Sequence, residues 1–212
     1  MSKPSVDLEF ENGNLGVVAT SPDGICAIIS SATANDDFEL NTRYTVYSLK
    51  EAETLGILPT VSNYELHKTI KEFYAEAGDG TELWIYGVAK TRTLDELVDD
   101  SQVVLTAANR RIRFAVCKYA PEVAEVDTED GLREGFMATL AAAQAIAEDY
   151  TKNKIAPLIF IIEGYNYTGA PADLVGFSTT TYNRVAVMIG DTETRTGATA
   201  SKGAAEIGRA HV

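Results

Sequence analysis

Two histidines, His67 and His211, are all the imidazole this chain has for nucleophilic catalysis of the Ser-His-Asp or Cys-His kind. His67 follows Leu66 beside an apolar helical stripe, where a partly exposed surface side chain is expected, and His211 belongs to an anomalous tail. A histidine-based triad is therefore nearly excluded. Cys26 and Cys117 sit in apolar, strand-like runs with no C-x-x-C spacing, as buried thiols of a reducing compartment would. Glu122, Glu125, Asp127, Glu129 and Asp130 supply carboxylates, but not with the alternation and central glycine of a calcium loop. A solvated acidic loop capping the next helix is expected there. Arg110, Arg111 and Arg113 could clamp a phosphate, yet the strand period turns two of them outward. The most enzyme-like feature is the loop 163–171, EGYNYTGAP, at the carboxyl end of a buried strand, where open α/β sheets bind ligands. Its candidate ligand residues are Glu163, Tyr165, Asn166 and Tyr167, although Tyr165 and Tyr167 would serve equally in a subunit interface.

A second candidate is the stretch FYAEAGDGTELWIYGV, residues 73–88. Its glycines precede a strand, whereas a phosphate cradle opens a helix so that free amides face the anion, and neither a Walker A nor a G-x-G-x-x-G pattern occurs. Gly78-Asp79-Gly80 thus reads as a helix C-cap and turn. Trp84, the only tryptophan, reads as a core anchor. No residue is assigned to catalysis, to a cofactor or to a metal.

These residues need elements to hold them. The 212 residues are 45% hydrophobic, enough for one substantial α/β core or two small ones. A net charge of -13 disfavours attraction to nucleic acid or anionic membranes. No apolar run approaches the roughly 18 residues of a membrane span, and the first residues have no signal-peptide h-region, so the chain is expected in the cytosol.

Strand patterns cover residues 25–32, 82–89, 112–119, 157–163 and 184–190. The pairs Ser48/Glu51 and Ser62/Glu65 predict two capping boxes. The first opens a short helix that stops at Gly56. The second opens a helix whose Leu66, Ile70, Phe73, Tyr74 and Ala77 share one face. Residues 94–109 predict helix in one or two pieces, and Leu132, Phe136, Leu140, Ala143 and Ala147 mark a long, Ala-rich one. Strands alternating with helices predict an α/β fold, a three-layer, mainly parallel sheet with helices on both faces, carrying an extended N-terminal arm.

The ordered set GICAIISSA, VYSLKEAETLG and LHKTIKEFYAEAGDGTELWIYGV resembles the front of contractile tail sheath proteins of phages and prophages, closest to the divergent sheath-like branch of prophages. Phe73-Tyr74, Gly78, Gly80 and residues 84–88 occupy the matching places over roughly residues 6–90; the rest matches by βα rhythm alone. GDG stands where many sheaths have an Asn-Gly-Gly turn, and the region that packs on neighbours at the C-terminus is lacking. The resemblance implies a virion structural protein without catalysis, assembled in the bacterial host cytoplasm into the virion tail. Its partners would be itself, in hexameric rings stacked into a tube, and the inner tail tube and baseplate proteins, with neither nucleic acid nor membrane insertion.

Sheath subunits need mobile arms that keep neighbours linked, commonly by adding a strand to a sheet edge. Val6, Leu8 and Phe10 alternate with acidic residues and are the candidate inter-subunit arm; an edge strand of the same subunit is the equal alternative. The expected organisation is an arm or edge strand over 1–20, an α/β body over 21–205 and a non-native tail over 206–212. A permitted back-translation of EIGRAHV, GAG ATC GGA AGA GCA CAC GTC, reads as the start of a sequencing adapter, which would make this the front part of a longer chain.

Overall fold

The computed structural model describes residues 24–125, 128–167, 171–174, 176 and 181–189. In chain order its elements are β1 (Ile25–Ala32), β2 (Arg43–Val46), α1 (Leu49–Thr54), α2 (Tyr64–Ala77), β3 (Leu83–Ala89), α3 (Leu94–Ala107), β4 (Ile112–Lys118), β5 (Thr128–Glu129), β6 (Leu132–Arg133), α4 (Phe136–Lys152), β7 (Ile159–Glu163) and β8 (Val185–Met188), with a 3-10 turn at Pro171–Asp173 before β8. The fold is α/β. Six strands form one sheet in the order β2-β3-β1-β4-β7-β8, parallel throughout except for β2, which runs antiparallel to β3. β5 and β6 make a separate two-stranded hairpin.

β1 is buried at all eight positions because it is central and covered on both sides. Cys26 and Ile28 point into a cluster with Ala52 of α1 and Leu66 and Ile70 of α2. Ile25, Ala27 and Ile29 point into the other cluster, built with Leu97 of α3 and Leu140 and Ala143 of α4. The side-chain period of two thus sends each branched residue into one of two helix layers. Each fully buried isoleucine contributes about 1.5–3 kcal/mol over exposure. Among the five parallel strands the chain steps from β1 to β3 on one side and to β4 on the other. The topological switch point therefore lies between β1 and β4.

Several local expectations need correction. Residues 43–46, outside every strand pattern of the sequence, form an edge strand, with Tyr74 donating its hydroxyl to the Val46 carbonyl at 2.8 Å. Ser48 does cap α1, accepting from the Glu51 amide, but Glu51 accepts from the Tyr47 amide instead of that of Ser48. α2 begins one residue later than its predicted box: Asn63 is the N-cap and makes no capping bond, its side-chain amide being spent on both backbone groups of Thr33. A complete capping box opens α3, from Thr93 and Glu96. Leu132 is buried in β6 and not on the long helix, which starts at Phe136.

His67 is 6% exposed and bonded to Glu53, not a surface side chain. Trp84 is only partly buried at the rim of the α3/α4 cluster, its Nε1 donating to Glu82, so it is not a core anchor. The glycine turn is as expected: Gly78 has φ 75° and caps α2, and the Gly80 amide donates to the Tyr47 carbonyl at 2.7 Å.

Candidate functional site

The carboxyl ends of β1 and β4, at the switch point, are where a doubly wound sheet opens its ligand crevice. In this chain the place is filled from within. Lys118, the last residue of β4, is 3% exposed, and its Nζ lies 3.0 Å from Glu163 Oε1 at the end of β7 and 3.4 Å from Glu65 Oε2 in the first turn of α2. The other Glu163 oxygen accepts from the Tyr119 amide at 2.9 Å. Burial works to lower the Lys118 pKa, but the two carboxylates outweigh it and the net direction is upward. Burial pushes Glu163 up, and the ammonium and the amide pull it back. Both net directions are upward and favour the protonated form, which is a charged lysine but a neutral carboxyl. With a donor on each oxygen, however, Glu163 is ionised beside a charged lysine. A lysine held charged in this way is no nucleophile.

A second network continues along the same edge. Tyr119 donates its hydroxyl to Glu125 at 2.7 Å and stands edge-to-face on Tyr165, with centroids 4.9 Å apart. Glu125 also accepts from Arg133 Nε at 2.8 Å, and Arg133 reaches Asp95 at 3.5 Å and Thr139, which itself bonds Asp95. Arg133 lies 5.8 Å from the Tyr119 ring centre. The hairpin is sewn down further by Asn166, whose Nδ2 donates to the Glu125 carbonyl at 3.0 Å, and by the Arg133 amide on the Tyr165 carbonyl.

The sequence-predicted ligand loop is thus brought together, but for internal work. Glu163 is paired, Tyr165 is 2% exposed, Asn166 adopts φ 59° to clamp the hairpin, and Tyr167 packs against the core. Residues 168–170 lie outside the described residues, as do Val6, Leu8 and Phe10 of the arm, Asp127, and residues 206–212. Glu125 and Glu129 are not merely solvated, since Glu129 accepts from the Gly135 amide at the start of α4. Arg111 pairs with Glu82, and Arg113 donates to the carbonyls of Arg110 and Ile112. Cys26 and Cys117 are free, buried thiols, each pushed up to about 12 by burial.

What sequence reasoning missed is Lys118, Glu65, Tyr119 and Arg133. A signal existed: a lone lysine closes the apolar run IRFAVCK and a lone glutamate closes IFIIE, a charge pair at matching strand ends.

Beside this cluster, Ser31, Asn63, Glu65, Lys90 and Ala120 bound a pocket of ≈ 20 Å³, room for about one water. Ser31 is 2% exposed, and its Oγ has no hydrogen-bond partner among the described residues, which suits a bound water there. No group of three or more metal-ligating side chains occurs among the described residues, and no helix among them is long and apolar enough to cross a membrane.

Residues 3–200 match the model of the family described as DUF2586, N-terminal domain. No curated protein matches the chain.

Proposed function

The chain belongs to the DUF2586 N-terminal domain family, and, on the sequence resemblance and the geometry of the site, we propose that it is a structural subunit of a contractile tail sheath, self-assembling around an inner tube and contracting to drive it through a cell envelope. The observation that carries this reading is the state of the switch-point crevice. Lys118, Glu163, Glu65 and the Tyr119–Tyr165 pair close it with the chain's own side chains, leaving a rigid block instead of a cleft. A subunit that switches between two packings needs such a block, so that the free energy of contraction acts between bodies and is not lost in deforming them. Both outer strands, β2 and β8, have a single pairing partner among the described residues, leaving edges to which a neighbour's strand can add. The ordered sequence motifs of the front half support the same reading.

In this reading Val6, Leu8 and Phe10 tie adjacent subunits within stacked hexameric rings, with the tube and baseplate proteins as the other partners, in a virion tail assembled in the host cytoplasm. Electron microscopy of the full-length gene product, and of the same protein without residues 1–14, tests it. Rings or tubes are expected from the first, and folded but unassembled protein from the second. A monomer at high concentration whose melting temperature rises with a small metabolite would overturn the reading in favour of a ligand-binding α/β enzyme.

A further inference from the structure

The turn between α4 and β7 holds a residue that the subunit's own fold does not explain. Ile155 adopts φ 52° and is 83% exposed, while the Ala156 amide donates to the Tyr150 carbonyl at 2.9 Å and closes the end of α4. That place in a helix C-terminus takes glycine or asparagine, and a β-branched side chain there is strained. So exposed a side chain has little packing within the described residues to offset the strain, which points to a contact outside the subunit. Ile155 is continued by exposed Pro157 and Ile159, alternating with buried Ala156, Leu158 and Phe160, and Phe114 lies beside Ile159 in register, the two at 36% and 38% exposure. α1 and α2 pack over β1 and β3 on that side, leaving the amino ends of β4 and β7 open among the described residues. Arg110 at the same end is exposed without an ion pair among the described residues, and Arg113, hydrogen-bonded to carbonyls alone, keeps its charge uncompensated. Arg111, Lys152 and Lys154 are neutralised by Glu82, Glu148 and Asp149.

The opposite end of the sheet is the counterpart. Val61 is 82% and Val123 79% exposed, and both stand by Lys90: Val61 borders the small pocket with Lys90 and Ala120, and the amide of Glu122 donates to the Lys90 carbonyl at 3.1 Å. Exposed acids flank them, Glu122 next to Val123, and Asp36 and Asp37 just after Thr33, whose backbone is held by Asn63. None of these three acids is in an ion pair among the described residues. The sheet thus ends in an apolar, cationic surface on one side and an apolar, anionic one on the other. A two-fold pair through either surface would set like charges against each other, whereas head-to-tail docking sets opposite charges together.

We propose that a second copy of this chain docks head to tail, the surface of Ile155, Pro157, Ile159 and Phe114 on one subunit receiving the Val61 and Val123 edge of the next, with the acids of that edge toward Arg110 and Arg113. The contact is heterologous, so it propagates into a ring or an open filament. It deepens the sheath reading, on whose self-assembly it rests, by naming the surfaces through which the rigid bodies themselves meet.

The test is interchain disulfide capture between two full chains, one carrying Ile155→Cys and the other Val123→Cys. Cys26 and Cys117, buried with thiol pKa values of about 12, stay out of the reaction. The mixture should form dimers about fivefold faster than either variant alone, because only unlike sites meet in a head-to-tail contact. Same-site dimers as the main product, or equal rates in mixture and single variants, would overturn the proposal. Sedimentation supplies a second readout: Arg110→Glu should weaken self-association about tenfold, and adding Glu122→Arg should restore most of it. Ile155→Asn relieves the strained backbone, so it should raise the melting temperature by about 2–4 °C while weakening association, a pairing of effects that a purely structural role would not give. Rings or tubes formed undiminished by Ile155→Asn and by the charge variants would remove this contact and leave the sheath reading standing; a monomer at every concentration would remove both.

Discussion

The charge cluster at the sheet's carboxyl edge illustrates how one residue's role depends on its partners. Lys118 is almost wholly buried, and its two carboxylate neighbours come from elements far apart in sequence. Removing the lysine alone strands Glu163 as a buried charge without its counter-ion. Lys118→Met should therefore lower stability by roughly 3–5 kcal/mol, whereas Lys118→Met combined with Glu163→Leu should recover at least half of that loss, because a buried ion pair is often no better than apolar packing. Urea denaturation of the single and double variants measures it. A single variant within about 1 kcal/mol of the unmodified protein would mean the cluster is hydrated and carries little weight. Trp84 shows the opposite lesson: a lone tryptophan in an apolar strand reads as core, yet its strand position puts it at the rim, with its indole nitrogen on Glu82.

At the scale of elements, the fit of β3 against the loop before β2 depends on the absence of a side chain at Gly87. A Cβ there would come within 2.6 Å of Phe38 Cζ, and Phe38 is fully buried. Gly87→Ala should cost about 1–3 kcal/mol by overpacking, and adding Phe38→Leu should relieve much of it. Thermal melting of the two variants decides, and a Phe38→Leu background that makes Gly87→Ala no milder would refute the contact as the cause. The strands themselves were legible because both faces of β1, β3 and β4 are apolar and β-branched, a pattern that only a covered parallel sheet explains. What was not legible follows from tertiary competition. Ser62/Glu65 has the spacing of a capping box, but Asn63 clamps Thr33 and Glu65 turns to Lys118, so the helix starts without one. β2 is short and half polar, and it exists because β3 offers an edge; the hairpin of β5 and β6 is held by Arg133, Glu125 and Asn166, none of which has a local sequence signature.

For the whole molecule, the titrating groups give a direction that the net charge alone would not. Cys26 and Cys117 are raised by burial from 9.0 to about 12, the buried Lys118 is raised by its carboxylates, and Tyr74 and Tyr119 are raised chiefly by burial from 10.0. Every one of these groups holds its proton more tightly folded than unfolded. Each contribution is therefore complete below the unfolded value and is lost as pH climbs toward the folded one. The thiols act first, since in the unfolded chain they ionise near 9.0, and the tyrosines follow from 10.0. Between neutrality and about pH 9 these groups leave stability unchanged; above it the urea midpoint should fall steadily to pH 11. Because the two thiols lie in opposite helix layers, the loss should be one cooperative transition of the entire body and not a local opening. Replacing both by alanine should lower the neutral-pH midpoint slightly and move the onset of the alkaline fall by about one pH unit, to where the tyrosines begin. A midpoint constant to pH 11, or an onset identical with and without the thiols, would show that the sheet's interior admits water to its cysteines and is not the closed block on which the sheath reading depends.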